Sequence, residues 1–155
     1  MNDYHEEYRA QSSAFEMRRQ LAEAIDAGER ALNSLQAADE KLSSAKRWGV
    51  FDILGGGFIA SMVKRSKMED AAADIRRAGA ALEAFQRELL DVHLSSVPDL
   101  DCDGFLSFAD LFMDGFAADM VVQYKLSKVS NELKETMEQV ASILQALRER
   151  YRHQA

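Results

Sequence analysis

The sequence holds few of the residues that build disulfides, tight turns and metal clusters: one cysteine, one proline, eight glycines and three histidines in 155 positions. A single cysteine excludes an intrachain disulfide and a cysteine-based zinc cluster, and it is consistent with a reducing compartment. One proline beside 23 alanines disfavours an all-β sandwich and favours helices, because alanine is the best helix former. With this length and 47% hydrophobic residues, we expect one folded domain over residues 1–155.

Positive charge and long apolar runs are also scarce. The chain has 19 basic and 26 acidic residues, a formal net charge of −7, and we expect no nucleic-acid partner because binding phosphates needs a basic field. The longest nearly uncharged apolar run, residues 48–63, is shorter than the roughly 20 residues of a membrane-spanning helix. The charged residues near the amino terminus do not match a secretory signal. The sequence therefore predicts a cytoplasmic protein without a transmembrane segment.

Apolar residues recur at coiled-coil spacing in three stretches, which predicts helices over about 4–47, 60–94 and 107–152. The first seam takes alternate steps of four and three residues: Leu21, Ile25, Gly28, Leu32, Leu35, Asp39 and Leu42. Two seven-residue repeats lie side by side in the second stretch: Met68, Ile75, Leu82 and Leu89, and Ala71, Ala78, Phe85 and Val92. The third seam has Thr136 or Met137 in its middle position: Leu126, Val129, Leu133, Val140, Ile143 and Leu147.

These patterns predict an all-α fold, an elongated antiparallel three-helix bundle or coiled coil. A glycine-rich turn is expected at 48–57, because four of the eight glycines lie there and glycine allows the backbone of a tight turn. One irregular loop is expected at 95–106, where Pro98 disfavours helix for the residue before it. Short connections make consecutive helices antiparallel neighbours.

One segment, 99–110, resembles a twelve-residue calcium-binding loop of the EF-hand type. Alternating aspartates could converge on a hard cation, and Gly104 would permit the sharp bend. However, Pro98 interrupts the helix that should enter such a loop, the acid at its twelfth position is an aspartate, and no second loop is present to pair with it. The alternative, which we favour, is an acidic connector that caps the third helix. The calcium ligands would be Asp99, Asp101, Asp103, Ser107 and Asp110.

No catalytic constellation is found among the remaining polar residues. The three glycines at 55–57 are not followed by the Lys-Ser/Thr pair that a phosphate-binding loop requires. The histidines, at positions 5, 93 and 153, lack the spacing of metal-binding helical bundles. We therefore expect a protein that is not an enzyme and holds no cofactor, with Ca²⁺ as the alternative.

The apolar run at 48–63 has basic residues on both sides, at 46–47 and 64–67. Such a tip could dip into an anionic membrane surface. It could also pack inside the bundle against the phenylalanines between positions 105 and 116, and their presence in the same chain favours this second interpretation.

Charge is distributed unevenly along the chain and favours that packing. Residues 41–67 sum to +5 (six basic, one acidic) and residues 68–119 to −9 (three basic, twelve acidic). We therefore predict that residues 95–106 fold back along the bundle, so that the acidic segment docks on the basic tip. Phe108 and Phe112 would then lie beneath Trp48, with Lys64 or Lys67 near Asp110 or Asp114.

Eleven residues spread over the tip and the acidic segment form a recognisable pattern: Trp48, Asp52, Gly55, Gly56, Gly57, Lys64, Lys67, Phe108, Asp110, Phe112 and Asp114. Written as W-x-x-x-D-x-x-G-G-G followed by F-A-D-x-F-x-D-G, it resembles a family of uncharacterised bacterial helical proteins. The resemblance implies a bacterial helical protein with interaction or structural roles for these residues, and no reaction, cofactor or substrate.

The sequence as a whole predicts a non-enzymatic helical interaction or scaffold protein. It would bind a protein partner, or a second copy of itself, through its helical seams. Two alternatives stay open: a calcium-binding module that uses 99–110, and a peripheral membrane protein that uses 48–63.

Overall fold

The structure, a computed structural model, describes residues 3–53, 58–94 and 126–154. Three α-helices account for nearly all of them: α1 (Asp3–Ile53), α2 (Phe58–Leu94) and α3 (Leu126–His153). Helix α1 packs against both α2 and α3, and buried residues from all three form one hydrophobic core. The predicted all-α three-helix bundle is confirmed.

The helix bounds differ from the predicted ones mainly at the glycine-rich turn. Helix α1 continues to Ile53, so Trp48 and Asp52 lie in helix and not in an irregular segment. A single glycine at position 49 weakens a helix by only about 1 kcal/mol relative to alanine, which the apolar residues around it can offset. The predicted beginning of the third helix, 107–125, lies outside the described residues.

Helix α1 is antiparallel to each of its neighbours. Gly28 lies 25 residues before the end of α1 and is beside Phe85, which lies 27 residues after the start of α2. Because these two distances from the connection are nearly equal, α1 and α2 form a helical hairpin. Gly28 is also beside Leu144, and Arg18 lies over Tyr151. Residue numbers therefore increase along α3 in the direction in which they decrease along α1, so these two helices are antiparallel.

Because both neighbours run opposite to α1, α2 and α3 run parallel to each other. Extending the observed registers places Leu94 beside about residue 19 of α1 and Leu126 beside about residue 46, about 40 Å apart along the axis at 1.5 Å per residue. Among the described helices, direction therefore does not alternate from α2 to α3, although the short connections predicted that it would. The predicted return of residues 95–106 along the bundle lies outside the described residues and stays a prediction.

The core-facing residues of α1 are partly those of the predicted seam. Leu21, Leu35 and Leu42 are buried, but Ile25 and Leu32 are only partly buried at its edge. Alanines occupy the fully buried positions between them, because small side chains let two neighbouring helices approach α1 closely. These residues are Ala24, Ala27, Ala31 and Ala38.

The seams of α2 and α3 follow the prediction more closely. Seven residues predicted for α2 are buried: Ala71, Ile75, Ala78, Leu82, Phe85, Leu89 and Val92. In α3, Thr136 takes the middle position, where its hydroxyl donates a hydrogen bond of 2.7 Å to the carbonyl oxygen of Glu132. Leu144, and not Ile143, is fully buried, because the spacing of Val129, Val140 and Tyr151 repeats every eleven residues and shifts the seam. The side chains of Leu126 and Met68 lie outside the described residues.

Candidate functional site

Helix α1 extends past the hydrophobic core at the end of the bundle where α2 and α3 terminate. The first fully buried residue of α1 is Leu21, and Met17 packs partly buried against the core. Every residue from Tyr4 to Glu16 is exposed. These thirteen residues, which we call the arm, project about 20 Å beyond the core at the rise of an α-helix.

Local contacts support the helix of the arm at its base. The guanidinium of Arg19 donates hydrogen bonds of 2.5 and 3.2 Å to the two carboxylate oxygens of Glu16, and it also pairs with Glu23 at 2.9 Å. Ion pairs at these spacings stabilise a helix on its own surface. The hydrogen bonds from Arg19 hold the pKa of the Glu16 carboxyl below its ordinary value.

Three aromatic side chains lie on one face of the arm, and we call them the aromatic stripe. Tyr4, Tyr8 and Phe15 are 79%, 74% and 72% exposed. Their spacings of four and eleven residues place them within an arc of about 40° around the helix axis. This arc is roughly 150° from the core-facing positions of α1, so the stripe points away from the bundle. Large exposed rings that share one helix face are candidates for an interaction site.

The arm is acidic, whereas the end of the bundle from which it projects is basic. The arm carries three acidic residues and one basic residue, a net charge of −2. The last turn of α3 is basic, with Arg150, Arg152 and His153, where positive side chains oppose the negative end of the helix dipole. Just below the arm, α1 contacts the end of α3 through Arg18, whose guanidinium lies 4.5 Å from the ring centroid of Tyr151 and donates a 3.5 Å hydrogen bond to the carbonyl oxygen of Gln154.

A shallow groove of about 410 Å³ lies at this junction. It opens to solvent on the side of the arm that faces the bundle axis, away from the aromatic stripe. Its one carboxylate is that of Glu16, which the hydrogen bonds from Arg19 hold in place. The lining residues are Ser13, Ala14, Glu16, Met17, Gln20 and Gln154.

The residues singled out from the sequence lie elsewhere. Trp48 and Asp52 are in the last turns of α1, and Lys64 and Lys67 are in the first turns of α2. The hairpin brings these four positions to the bundle end opposite the arm; their side chains lie outside the described residues. The calcium loop and the docking of the acidic segment on the tip stay predictions, because their other residues lie outside the described part of the chain. These residues are Gly55, Gly56, Gly57, Asp99, Asp101, Asp103, Ser107, Phe108, Asp110, Phe112 and Asp114.

The described stretches contain neither a cluster of metal ligands nor a membrane-spanning helix. Within 3–53, 58–94 and 126–154, no group of three or more His, Cys, Asp or Glu side chains is placed to hold a metal ion. In the same part of the chain, no helix has both the length and the apolar character needed to cross a membrane.

Comparisons with protein-family models, with curated proteins and with solved structures found no match to this chain. The resemblance to a bacterial helical family therefore stays a prediction from the motif residues.

The aromatic stripe is the site that the sequence patterns missed. Its residues fall outside the seams because none of them continues the core-facing repeat of α1. The signal that could have found it is the spacing of positions 4, 8 and 15, which puts three large rings on one face of a stretch otherwise rich in polar residues.

Proposed function

We propose that this protein is a non-enzymatic helical interaction protein that presents the arm to a protein partner. The observation that carries this proposal is the exposure of the aromatic stripe on a helix that extends beyond its own core. Aromatic side chains supply large contact area at protein interfaces and are enriched there. A helix with anchors on one face is also a common way for proteins to recognise one another.

The continuous helix suits a scaffold. Helix α1 spans 51 residues, about 75 Å at 1.5 Å per residue, and its middle and far parts are packed against α2 and α3. A partner bound to the arm would therefore be held at a fixed position relative to the bundle. The single cysteine and the motif resemblance support a bacterial cytoplasmic location as part of this proposal.

Site-specific photo-crosslinking in the cells that naturally produce the protein tests the proposal. A benzophenone amino acid would replace Tyr8 in the stripe or, as a matched control, Ala10, which lies on the same arm roughly 160° away. We expect protein adducts from position 8 and few from position 10. Equal adduct yields at both positions, or none at position 8, would contradict the proposal.

A further inference from the structure

We infer that the side of the bundle between α2 and α3 is a docking surface for residues 105–122 of the same chain, which bind there as a helix antiparallel to both. These residues lie outside the described part of the chain. Three observations on the described part carry the inference: the separation of α2 from α3, the burial of their outer flanks, and the path that the chain must take from Leu94 to Leu126. The proposed function of the arm is not involved.

Helices α2 and α3 both pack against α1, but within the described residues they make no close backbone contact with each other. In a bundle of three mutually packed helices, every pair of axes would be about 8–10 Å apart. In a four-helix bundle, two helices that share a neighbour lie across the diagonal, at roughly 13 Å. Helices α1, α2 and α3 are therefore arranged like three corners of a four-helix bundle.

The flank of α3 that lies away from α1 is nevertheless covered. Arg148 marks the flank that faces α1, because its guanidinium pairs with the carboxylate of Glu29 at 2.6 Å. Since α2 does not pack against α3, another segment must cover the opposite flank. Four partly buried residues lie there, about 140–180° around the helix from Arg148: Glu132, Gln139, Ile143 and Arg150, whose Nε atom is fully buried.

Both flanks of α2 are covered as well. Gly79 is buried, and Glu88, about 180° around the helix from it, is partly buried. Helix α1 can lie against only one of these flanks, because the stripe that a helix buries against its core is roughly 100° wide or somewhat more. The other flank of α2 and the outer flank of α3 face the same corner of the bundle, so one further segment can cover both.

The chain between Leu94 and Leu126 has to travel along the bundle, since these residues lie about 40 Å apart along its axis. If residues 107–125 continued α3 as one straight helix, residue 107 would lie about 28 Å beyond Leu126, roughly 70 Å from the level of Leu94. The twelve residues 95–106 reach at most about 45 Å when fully extended. The chain therefore bends between residues 107 and 126, and this segment lies alongside the bundle and not beyond its end.

A helix over 105–122 fits this path. It is about 27 Å long, and the ten residues before it then need to cover only about 13 Å. Its end lies near the level of Leu126, to which a turn of three residues connects it. The four helices then alternate in direction and each is adjacent to the next, as in a simple four-helix bundle. The second half of the segment lies towards the bundle end that carries Lys64 and Lys67, as the charge distribution predicts.

The sequence of this segment has the pattern that such a helix needs. Asp110 and Asp114 lie outside its apolar arc, and Asp119 is the one acid within it. One face can thus join the core while the opposite face stays in solvent. Five large apolar residues form the arc, which is about 120° wide: Phe105, Phe108, Phe112, Phe116 and Met120.

Charge is complementary where the segment enters. Residues 99–103 contain three aspartates and follow α2, which ends at the level of the last turns of α3. Those turns are basic, with Arg150, Arg152 and His153, and a partly buried charge such as that of Arg150 is stabilised by an opposite one. The segment of the same chain is favoured over a second copy, because both of its ends are anchored at this corner and give it a high effective concentration.

Photo-crosslinking within the purified full chain tests the inference. A benzophenone amino acid would replace Gln139 on the outer flank of α3 or, as a matched control, the exposed Ala141, which lies about 160° away on the flank that faces α1. The chain has no Lys or Arg between Arg87 and Lys125, so cleavage at aspartates before mass spectrometry is needed to locate the adducts.

We expect position 139 to form adducts with peptides from 105–122 in chains of monomer mass, and position 141 to form at most about a tenth as many. Equal yields at the two positions, or adducts from position 139 only with α1 or α2, would overturn the inference. Adducts of twice the 17.4 kDa mass of the chain would also overturn it, because they would assign this surface to a second copy.

Hydrogen exchange of the unmodified chain gives a second measurement that needs no substitution. Amides in a packed helix exchange only when that helix opens, so those of 105–122 should exchange at least about tenfold more slowly than in an unstructured peptide of the same sequence. Protection below that level would overturn the inference even if the crosslinks form, since it would mean that the segment touches α3 without folding against it.

Discussion

The ring of Phe85 occupies the space that a side chain on Gly28 would need. A Cβ atom placed on Gly28 would lie 2.8 Å from Cε2 of Phe85 and 2.7 Å from Cδ2 of Leu144. Both side chains are essentially fully buried, so neither can move aside without disturbing the core. Glycine at this position allows the three helices to meet.

Gly28→Ala should therefore destabilise the protein, although alanine favours helix over glycine by about 1 kcal/mol. We expect a loss of about 1–3 kcal/mol from overpacking, measured by urea unfolding. As a control, Ala22→Gly at an exposed position of the same helix measures the difference in helix propensity between alanine and glycine without a change in core packing. A Gly28→Ala variant that is more stable than the parent would contradict the packing described here.

Thr136→Val should change the free energy of unfolding by less than about 1 kcal/mol. The Thr136 side chain is fully buried, and its hydroxyl bonds only within its own helix turn, to the carbonyl oxygen of Glu132. Such a bond weakly disfavours a regular helix, and valine keeps the volume without an unsatisfied donor. Thr136→Ala is the comparison: it removes volume from the core and should be clearly more destabilising. Equal losses for the two variants would mean that the hydroxyl matters more than the volume.

Arg19→Gln should raise the pKa of the Glu16 carboxyl, because the hydrogen bonds from Arg19 are the main cause of its lowered pKa. A group whose pKa is lower in the folded state stabilises that state above its unfolded pKa, and this contribution is lost as pH falls through the folded pKa. The helix at the base of the arm should therefore fray at acid pH in the parent chain. A ¹³C-detected NMR titration of the Glu16 carboxyl checks both statements; an unchanged pKa in the variant would refute them.

Millimolar Ca²⁺ should leave the melting temperature unchanged. A bound ion would stabilise the folded chain by mass action, but Pro98 disfavours the helix that should enter the loop, and the twelfth position of 99–110 is an aspartate and not the usual glutamate. Asp101→Ala is the control. A rise in melting temperature that this variant abolishes, with heat detected by isothermal titration calorimetry, would instead establish a calcium site.

Asp114→Asn should destabilise the chain far more than Glu138→Gln, a surface change on α3. The reason is the predicted docking of Asp114 near Lys64 or Lys67, since removing one partner of a fully buried ion pair costs roughly 3–5 kcal/mol. Thermal and urea unfolding of both variants make the comparison. Equal stabilities would refute docking and would favour the alternative in which the tip around Trp48 contacts a membrane surface.

The sequence predicted the buried residues of α2 better than those of α1, and the sizes of the side chains explain the difference. In α2, Ile75, Leu82 and Leu89 belong to one predicted repeat, and both they and the described residues of the repeat beside it are buried. In α1, the pattern favoured Ile25 and Leu32 over the neighbouring alanines. A helix that packs against two neighbours buries small residues such as alanine. A pattern based on large apolar residues gives these positions little weight.

The arm could not be predicted in the same way, because its exposure depends on where the other helices end. That in turn depends on the register between helices, with Gly28 beside both Phe85 and Leu144. The apolar pattern of one helix does not specify its register against another helix. The parallel course of α2 and α3 is equally invisible to periodicity.

The parallel course of α2 and α3 sets an order for folding. Helix α2 follows α1 after four residues, 54–57, so the hairpin closes at a small loss of chain entropy. Helix α3 must find its place after 31 further residues, 95–125, with its first turn at the far end of the hairpin. Contacts between positions distant in sequence form slowly. We therefore expect the hairpin to form before α3 docks on it, and α3 to be the first helix to separate when the bundle unfolds.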